Sequence, residues 1–274
     1  MALDPIPSTA FDFIAQVERA YAGLKKAADT RLSGAASEEP GLGGKLLYAG
    51  GLDAASSALV VAGNVAGAAS LAATANPAAQ KQAIRDGVVD FLVTSLDEAL
   101  RILKNEIRKR ETVAVCVGAA PDTVECEMLE RGVLPDLLAP DPEHKAACAK
   151  WRRQGAQSVE FDRVEESAVL VAWRVAAAPA LWLPRLDSIA LDCVEPGASA
   201  ARRWLRLAPR YLGRLSQGVR LLRCDEALAA RLLELVREQV DRGEIAVPVE
   251  IQISSRGESH LHLLSPPGSA AGNG

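Results

Sequence analysis

Residues 46–75 read LLYAGGLDAASSALVVAGNVAGAASLAATA, and the reading of this stretch decides the fold. Leu46 to Ala49 is a short apolar run that stops at Gly50 and Gly51, a strand meeting a turn. Ala54 to Ala66 reads as a buried helix, and Ser70 to Ala73 as a second strand. From Ala54 to Ala75 there is no charge, and Gly63 and Gly67 stand at GxxxG spacing. A membrane-spanning helix needs about 20 strongly apolar residues. This run is mostly Ala, Gly and Ser and has no flanking Trp or Tyr, so a tightly packed helix and strand fit it better than a span. No membrane partner is expected.

The same alternation continues downstream. Asn76 caps a helix that opens on Pro77, because Asn accepts the orphan amide protons and Pro suits the first helical position. Val88 to Val93 (VVDFLV) is an apolar strand-like run. Ser95 caps a helix from Leu96 to Lys109, with Asp97 and Glu98 in its first turn, where the helix dipole favours acids. Val113 to Val117 (VAVCV) is the clearest buried strand. Asp122 to Arg131 is a helix stopped by Gly132, and Leu134 to Leu138 a short strand. Strands alternating with helices in this way imply an α/β fold, a Rossmann-like parallel sheet flanked by helices.

Upstream, Ser8 and Thr9 cap a helix from Ala10 to Ala28, followed by a loop from Ser33 to Gly44. From Pro140 the chain turns polar, as a connector or a helix, and this is the expected domain boundary. Beyond it a smaller α/β or α+β region is expected. Ala168 to Val175 and Ser188 to Val194 read as strands, Ala198 to Leu215 as a helix, and Val219 to Leu222 as a strand. Glu226 to Asp241 is a strongly amphipathic helix. Ile245 to Ile253 and Ser259 to Leu264 pair as a hairpin around Arg256-Gly257. The resulting division is 1–40 (a helical segment), 41–145, 146–264 and a disordered tail 265–274.

Composition excludes several function classes. The 274 residues carry 31 Lys+Arg against 35 Asp+Glu, a net charge of −4, which argues against a chain-wide nucleic-acid binder. Aromatic residues make up 4%, too few for a base-stacking surface. The five cysteines, Cys116, Cys126, Cys148, Cys193 and Cys224, are odd in number and show no CxxC, so neither a disulfide framework nor a zinc ribbon is expected. Such thiols suit a reducing cytoplasm. The start MALDPIPSTAFDF has no basic n-region and no apolar h-region, so a secretory leader is not expected.

The block from Gly43 to Leu138 resembles the central NAD-binding Rossmann-like domain of urocanase (urocanate hydratase). The resemblance is carried by LYAG at Leu47–Gly50, AGAASL at Ala66–Leu71, VDFLVTSLDEAL at Val89–Leu100 and MLERGVLPDLL at Met128–Leu138. TSLDEAL and RGVLPDLL are the most specific. The match covers about a third of the chain, and urocanases are about twice as long as this chain. The resemblance implies the fold, NAD as cofactor and a homodimer. It also carries departures. The family follows LTAG with a Gly-rich GGMGGAQ-type loop, where this chain reads GLDAASSAL from Gly51 to Leu59. Backbone must approach a pyrophosphate closely, and a Cβ obstructs it. The family's ribose-binding acid falls on Thr74 and its nearby Arg on Ala79. Its Asn-Ala pair falls near Ala119-Ala120-Pro121, and its DQTSAH stretch becomes APDPEHK at Ala139–Lys145. No segment matches the one that carries the family's catalytic Cys.

An open α/β sheet binds ligands in the crevice at the carboxyl ends of its strands. That places the candidate cofactor-binding residues at Gly50, Gly51, Asp53, Ser56, Thr74 and Gly118, with no catalytic residue assigned. His260 and His262 face one side of a predicted strand near Glu250 and Glu258, but two His are an incomplete ligand set, and no metal is expected. Arg202, Arg206, Arg210 and Arg214 recur every four residues as one stripe, read as pairing with the acidic helix that follows. GLGGK at Gly41–Lys45 lacks the full P-loop pattern. Three readings stay open: a urocanase-like binding module without hydratase activity, an enzyme holding an NAD-like or other small ligand in the old crevice, and a subunit of a larger assembly.

Overall fold

The computed structural model describes residues 8–31, 41–140, 145–161, 168–255 and 258–267. The turn at Arg256-Gly257, His144, most of the loop after Ser33 and most of the expected tail lie outside the described residues. The chain divides into two compact units: Gln16–Arg163 with Tyr211–Gly213, and Val164–Arg210 and Arg214–Gly274 with Met1–Ala15. The helix α1 (Ser8–Arg31) opens the described chain and includes Ser8 and Thr9 within its turns.

The first unit then runs β1 (Leu46–Gly50), α2 (Ala54–Ala66), β2 (Ala69–Ala73), α3 (Pro77–Asp86), β3 (Phe91–Val93), α4 (Leu96–Lys109), β4 (Val113–Val117), α5 (Pro121–Glu130), β5 (Leu137–Leu138), α6 (Ala146–Arg153) and β6 (Gln157–Ser158). Among the described residues its strands form one parallel sheet in the order β3-β4-β2-β1-β5-β6. Every residue of β2 and β4 is buried, which is why these strands, ASLAA and VAVCV, are unbroken runs of small and apolar residues and do not alternate. Helix ends follow the chemistry of the sequence. Asn76 accepts from the amides of Ala78 and Ala79, with Pro77 behind it. Ser95 accepts from the Glu98 amide at 3.3 Å while Glu98 accepts from the Thr94 amide at 3.0 Å, a reciprocal cap. Asp136 accepts from the Leu46 amide at 2.9 Å and from Lys45 Nζ at 3.0 Å, tying the start of β1 to the approach to β5. Asp97 pairs with Arg131, so the TSLDEAL and RGVLPDLL stretches are joined in space.

Two strands are shorter than their apolar runs suggest. Val88 and Val89 are buried but lie outside β3, because both amides turn back to Ala83 O at the end of α3. Leu134 is exposed, and pairing begins only at Leu137.

The GxxxG spacing has a packing cause. A Cβ on Gly63 would lie 2.8 Å from Leu47 Cδ2 and 2.9 Å from Ser70 Oγ, so α2 presses on β1 and β2 at this point. Gly67 takes the left-handed conformation that ends α2. Among the described residues no helix is long and apolar enough to cross a membrane.

The second unit contains β7 (Val169–Val175), α7 (Pro179–Cys193), α8 (Ser199–Leu212) up to Arg210, a 3-10 turn at Gly213–Ser216 from Arg214 onward, β8 (Arg220–Cys224), α9 (Glu226–Asp241), β9 (Val249–Ser255) and β10 (Glu258–Leu264). Its described strands form an antiparallel sheet in the order β10-β9-β7-β8. Val171, Trp173 and Val175 lie opposite Ile253, Ile251 and Val249, one apolar face of the sheet. Trp173 Nε1 on that face donates to Asp187 of α7 at 3.1 Å, and Arg220 Nε reaches the other oxygen of Asp187 at 3.0 Å.

The expected strand from Ser188 to Val194 is wrong: the segment is the second half of α7. Leu183, Leu186, Ala190 and Cys193 are its buried positions, a spacing of three and four that belongs to a helix. The helix from Ala198 also stops early, at Leu212, so Arg214 is off the stripe. Arg202 does not pair with α9; its Nη1 donates to the carbonyls of Leu191 and Val194 and so caps the end of α7.

Two outcomes follow for stability. Gly63→Val lowers the urea midpoint by an amount equivalent to about 1–3 kcal/mol, the cost of overpacking. Gly51→Ala, at a site with nothing within 4 Å of the added Cβ, stays close to the parent. Burial raises the Asp187 pKa, and the charge and hydrogen bond of Arg220 oppose that rise. Arg220→Leu strips a buried carboxylate of its counter-charge and costs about 3 kcal/mol or more at neutral pH. Because the folded state then holds the Asp187 proton more tightly than the unfolded chain, stability falls as pH rises through the raised pKa. Thermal unfolding at several pH values therefore shows the Arg220→Leu defect largest at neutral pH and smaller in acid.

Candidate functional site

The first unit builds a cavity of about 210 Å³ at the carboxyl ends of β1 and β5. From β1 the chain reaches β2 on one side, while β5 lies on the other. The cavity is therefore at the point where strand order reverses, the place such sheets leave open for a ligand.

The strand-to-helix turn shapes one wall. The register of β1 against β2 shifts between Tyr48 and Gly50, and Gly50 has φ +74°, a conformation that favours Gly over any residue with a Cβ. Asp53 follows as the N-cap of α2, its Oδ1 accepting from the Ser56 amide at 2.7 Å. Gly50, Gly51, Asp53 and Ser56 all line the cavity. Thr74 and Gly118 are not among its described lining residues. Thr74 Oγ1 accepts from the Asn76 amide at 3.2 Å, and its carbonyl accepts from Gln80 Nε2 at 2.7 Å, so Thr74 shapes the entry to α3. The Gly118 amide donates to Val93 O at 2.8 Å, beyond the end of β4.

The opposite wall comes from α5 and α6. Glu125 sits among the buried residues of α5, only 5% exposed, and lines the cavity. Its Oε1 accepts from Tyr48 Oη at 3.1 Å and lies 3.6 Å from Lys145 Nζ. Lys145 Nζ also donates to Asp122 Oδ1 at 2.8 Å. Burial raises the Glu125 pKa, opposed first by the Lys145 charge and then by the Tyr48 hydrogen bond. Burial, with the Glu125 charge behind it, raises the Tyr48 pKa far above its ordinary range, so the phenol stays protonated and donates. The Tyr48 ring meets Trp151 edge-on, with centroids 5.5 Å apart.

Sequence reasoning missed Tyr48, Glu125, Lys145 and Cys148 at this site. One signal was available: Glu125 shares the inner side of α5 with Val124 and Met128, and a carboxylate there is rarely buried without a partner. The partner itself, Tyr48, lies 77 residues away and is set only by the fold.

The remaining chemistry-bearing residues do not join this site. None of the five cysteines is in a disulfide, and Cys148 alone of them lines the cavity. Burial pushes the Cys116 thiol up to about 11 and the Cys224 thiol up to about 12, so neither is a thiolate nucleophile at neutral pH. His260 and Glu258 are exposed and 3.9 Å apart, and among the described residues no group of three or more His, Cys, Asp or Glu is placed to hold a metal.

The family model described as the urocanase Rossmann-like domain matches residues 20–149. That span contains α1 from its middle onward, the parallel strands β1 to β5 and every residue that lines the cavity. Residues 20–149 are therefore similar to the urocanase Rossmann-like domain, in fold and in the order of their strands and helices.

Proposed function

We propose that the chain keeps the urocanase-type scaffold as a binding module and does not hydrate urocanate. The observation that carries this reading is the Asp53 carboxylate on the N-terminus of α2. In a dinucleotide-binding fold the orphan amides at this helix end take the pyrophosphate. Here an internal carboxylate accepts from the Ser56 amide at 2.7 Å and adds a fixed negative charge beside any incoming phosphate.

Three further features point the same way. Gly51 has no neighbour that forbids a Cβ, while Asp53, Ala54 and Ala55 fill the approach that a Gly-rich loop would leave open. The residue in the position of the ribose acid, Thr74, spends its hydroxyl on the Asn76 amide. The cavity, about 210 Å³, is smaller than the ~300–1,000 Å³ of typical ligand and cofactor pockets. These residues do not fit a dinucleotide. The cytoplasm as compartment and a homodimer as assembly are part of the same proposal, the first from cysteines that form no disulfide and the second from the resemblance to urocanase alone.

The test is direct. Calorimetric titration of the full chain with NAD gives no saturable heat, and urocanate absorbance stays constant when enzyme-scale amounts of the chain are added with NAD. Turnover of urocanate, or NAD binding in the micromolar range, contradicts the proposal.

A further inference from the structure

We propose that β10 is a pairing edge for a second copy of this chain, joined antiparallel about a two-fold axis at Leu261. This rests on the homodimer reading above and names its surface. The surface belongs to the second unit and lies outside residues 20–149, so the observations that carry it are independent of the resemblance.

The edge itself is the first argument. Among the described strands β10 pairs with β9 alone, over all 7 residues and with no shift of register. Residues of an antiparallel strand alternate between bonding their neighbour and pointing their N–H and C=O groups away from it. On an outer side those groups are a template for another strand, and proteins guard such an edge with Lys, Pro, a bulge or brevity. ESHLHLL has no Lys, no Pro and no bulge. The other described edges are guarded. β3 has 3 residues and β6 has 2. β8 carries Arg220 and Arg223, and Trp204 Nε1 donates to its Leu221 carbonyl at 2.6 Å.

Two leucines are the second. Leu261 and Leu263 share one face of the strand and are 50% and 56% exposed. Across the ladder they stand opposite Gln252 and Glu250. Glu250 is tied to Arg174 at 2.7 Å, so β9 offers neither leucine an apolar neighbour on this face. The exposed half of each is left for a partner on the open side.

Symmetry and charge name that partner. With the axis at Leu261, Leu261 opposes the partner's Leu261, Ser259 the partner's Leu263, His260 the partner's His262 and Glu258 the partner's Leu264, so the whole strand pairs. Each Leu261 then has the partner's Leu261 opposite and the partner's Leu263 on the diagonal, one apolar cluster across the axis. Glu258 is the one acid of β10, which has no Lys or Arg. Its diagonal neighbour is the partner's His262, whose imidazole N–H is a donor for the carboxylate. The two glutamates stand at opposite ends of the ladder, about 20 Å apart at ~3.4 Å per residue, so acid does not face acid.

The experiment is sedimentation velocity on the full chain across the micromolar range. The expected result is a monomer–dimer equilibrium, because one strand pair is a small interface. Leu261→Lys sets two ammonium groups opposite each other in place of the leucines and weakens association about tenfold or more. Disulfide trapping reads the register. In a chain whose exposed Cys126 is changed to Ser, Leu261→Cys with glutathione disulfide gives a covalent dimer, because opposed Cα atoms about 4.5–5.5 Å apart suit a disulfide. Glu258→Cys in the same background does not, its copy lying about 20 Å away. A chain that stays monomeric throughout overturns both this surface and the homodimer, and leaves the edge to a strand of another protein. A dimer that Leu261→Lys leaves intact and Leu261→Cys does not link overturns the surface and leaves the homodimer standing. Linking of the Glu258→Cys chain as readily as the Leu261→Cys chain overturns the axis.

Discussion

The hydrogen bond from the Ser56 amide to Asp53 Oδ1 governs how β1 hands over to α2, and through that the character of the crevice. A helix N-terminus in a Rossmann-type fold presents amide protons and a partial positive charge. Something anionic has to meet them. In this chain it is a side chain of the fold itself, one residue before the helix begins. The register shift after Tyr48 and the positive φ of Gly50 bring the chain around to that point. Helix α2 is held close against β1 and β2 at Gly63, in its last turn. A fixed carboxylate at a fixed helix end sets the sign of the local field.

The other wall of the crevice completes that field. Glu125 is buried beside Tyr48 and within reach of Lys145, a polar arrangement in a layer that is otherwise Val, Leu and Trp. Burying a carboxylate is expensive unless it is bonded and paired. The fold meets part of that need from β1 and part from the start of α6.

Much of the first unit was legible in the residues. Asn76-Pro77 and Ser95 cap helices as their side-chain chemistry requires, and VAVCV is a strand because a buried parallel sheet demands an unbroken apolar run. The second half was less so. Ser188 to Val194 contains Ile and Val and suggested a strand, yet its buried positions keep the helical rhythm that begins at Leu183, and tertiary packing overrode the local impression. Two members of the Arg stripe, Arg202 and Arg214, depart from the reading for another reason. A four-residue recurrence assumes one unbroken helix, and the helix ends at Leu212, while Arg202 serves carbonyls at the end of α7. At the crevice, Gly50, Gly51, Asp53 and Ser56 were legible because a strand-turn-helix junction is a local pattern. Tyr48, Glu125 and Lys145 were not, because their meeting depends on strand order and on contacts between distant segments, which no local pattern records.

The central claim is that a carboxylate of the chain stands where its resemblance to urocanase places a dinucleotide phosphate. The measurement that tests it most directly is a native mass spectrum of the full chain as purified, followed by a denaturing one. The expected result is a native mass that equals the chain, or a whole multiple of it, with nothing of dinucleotide size released on denaturation. Extra mass corresponding to one NAD per chain, present in the native spectrum and shed on denaturation, contradicts the claim.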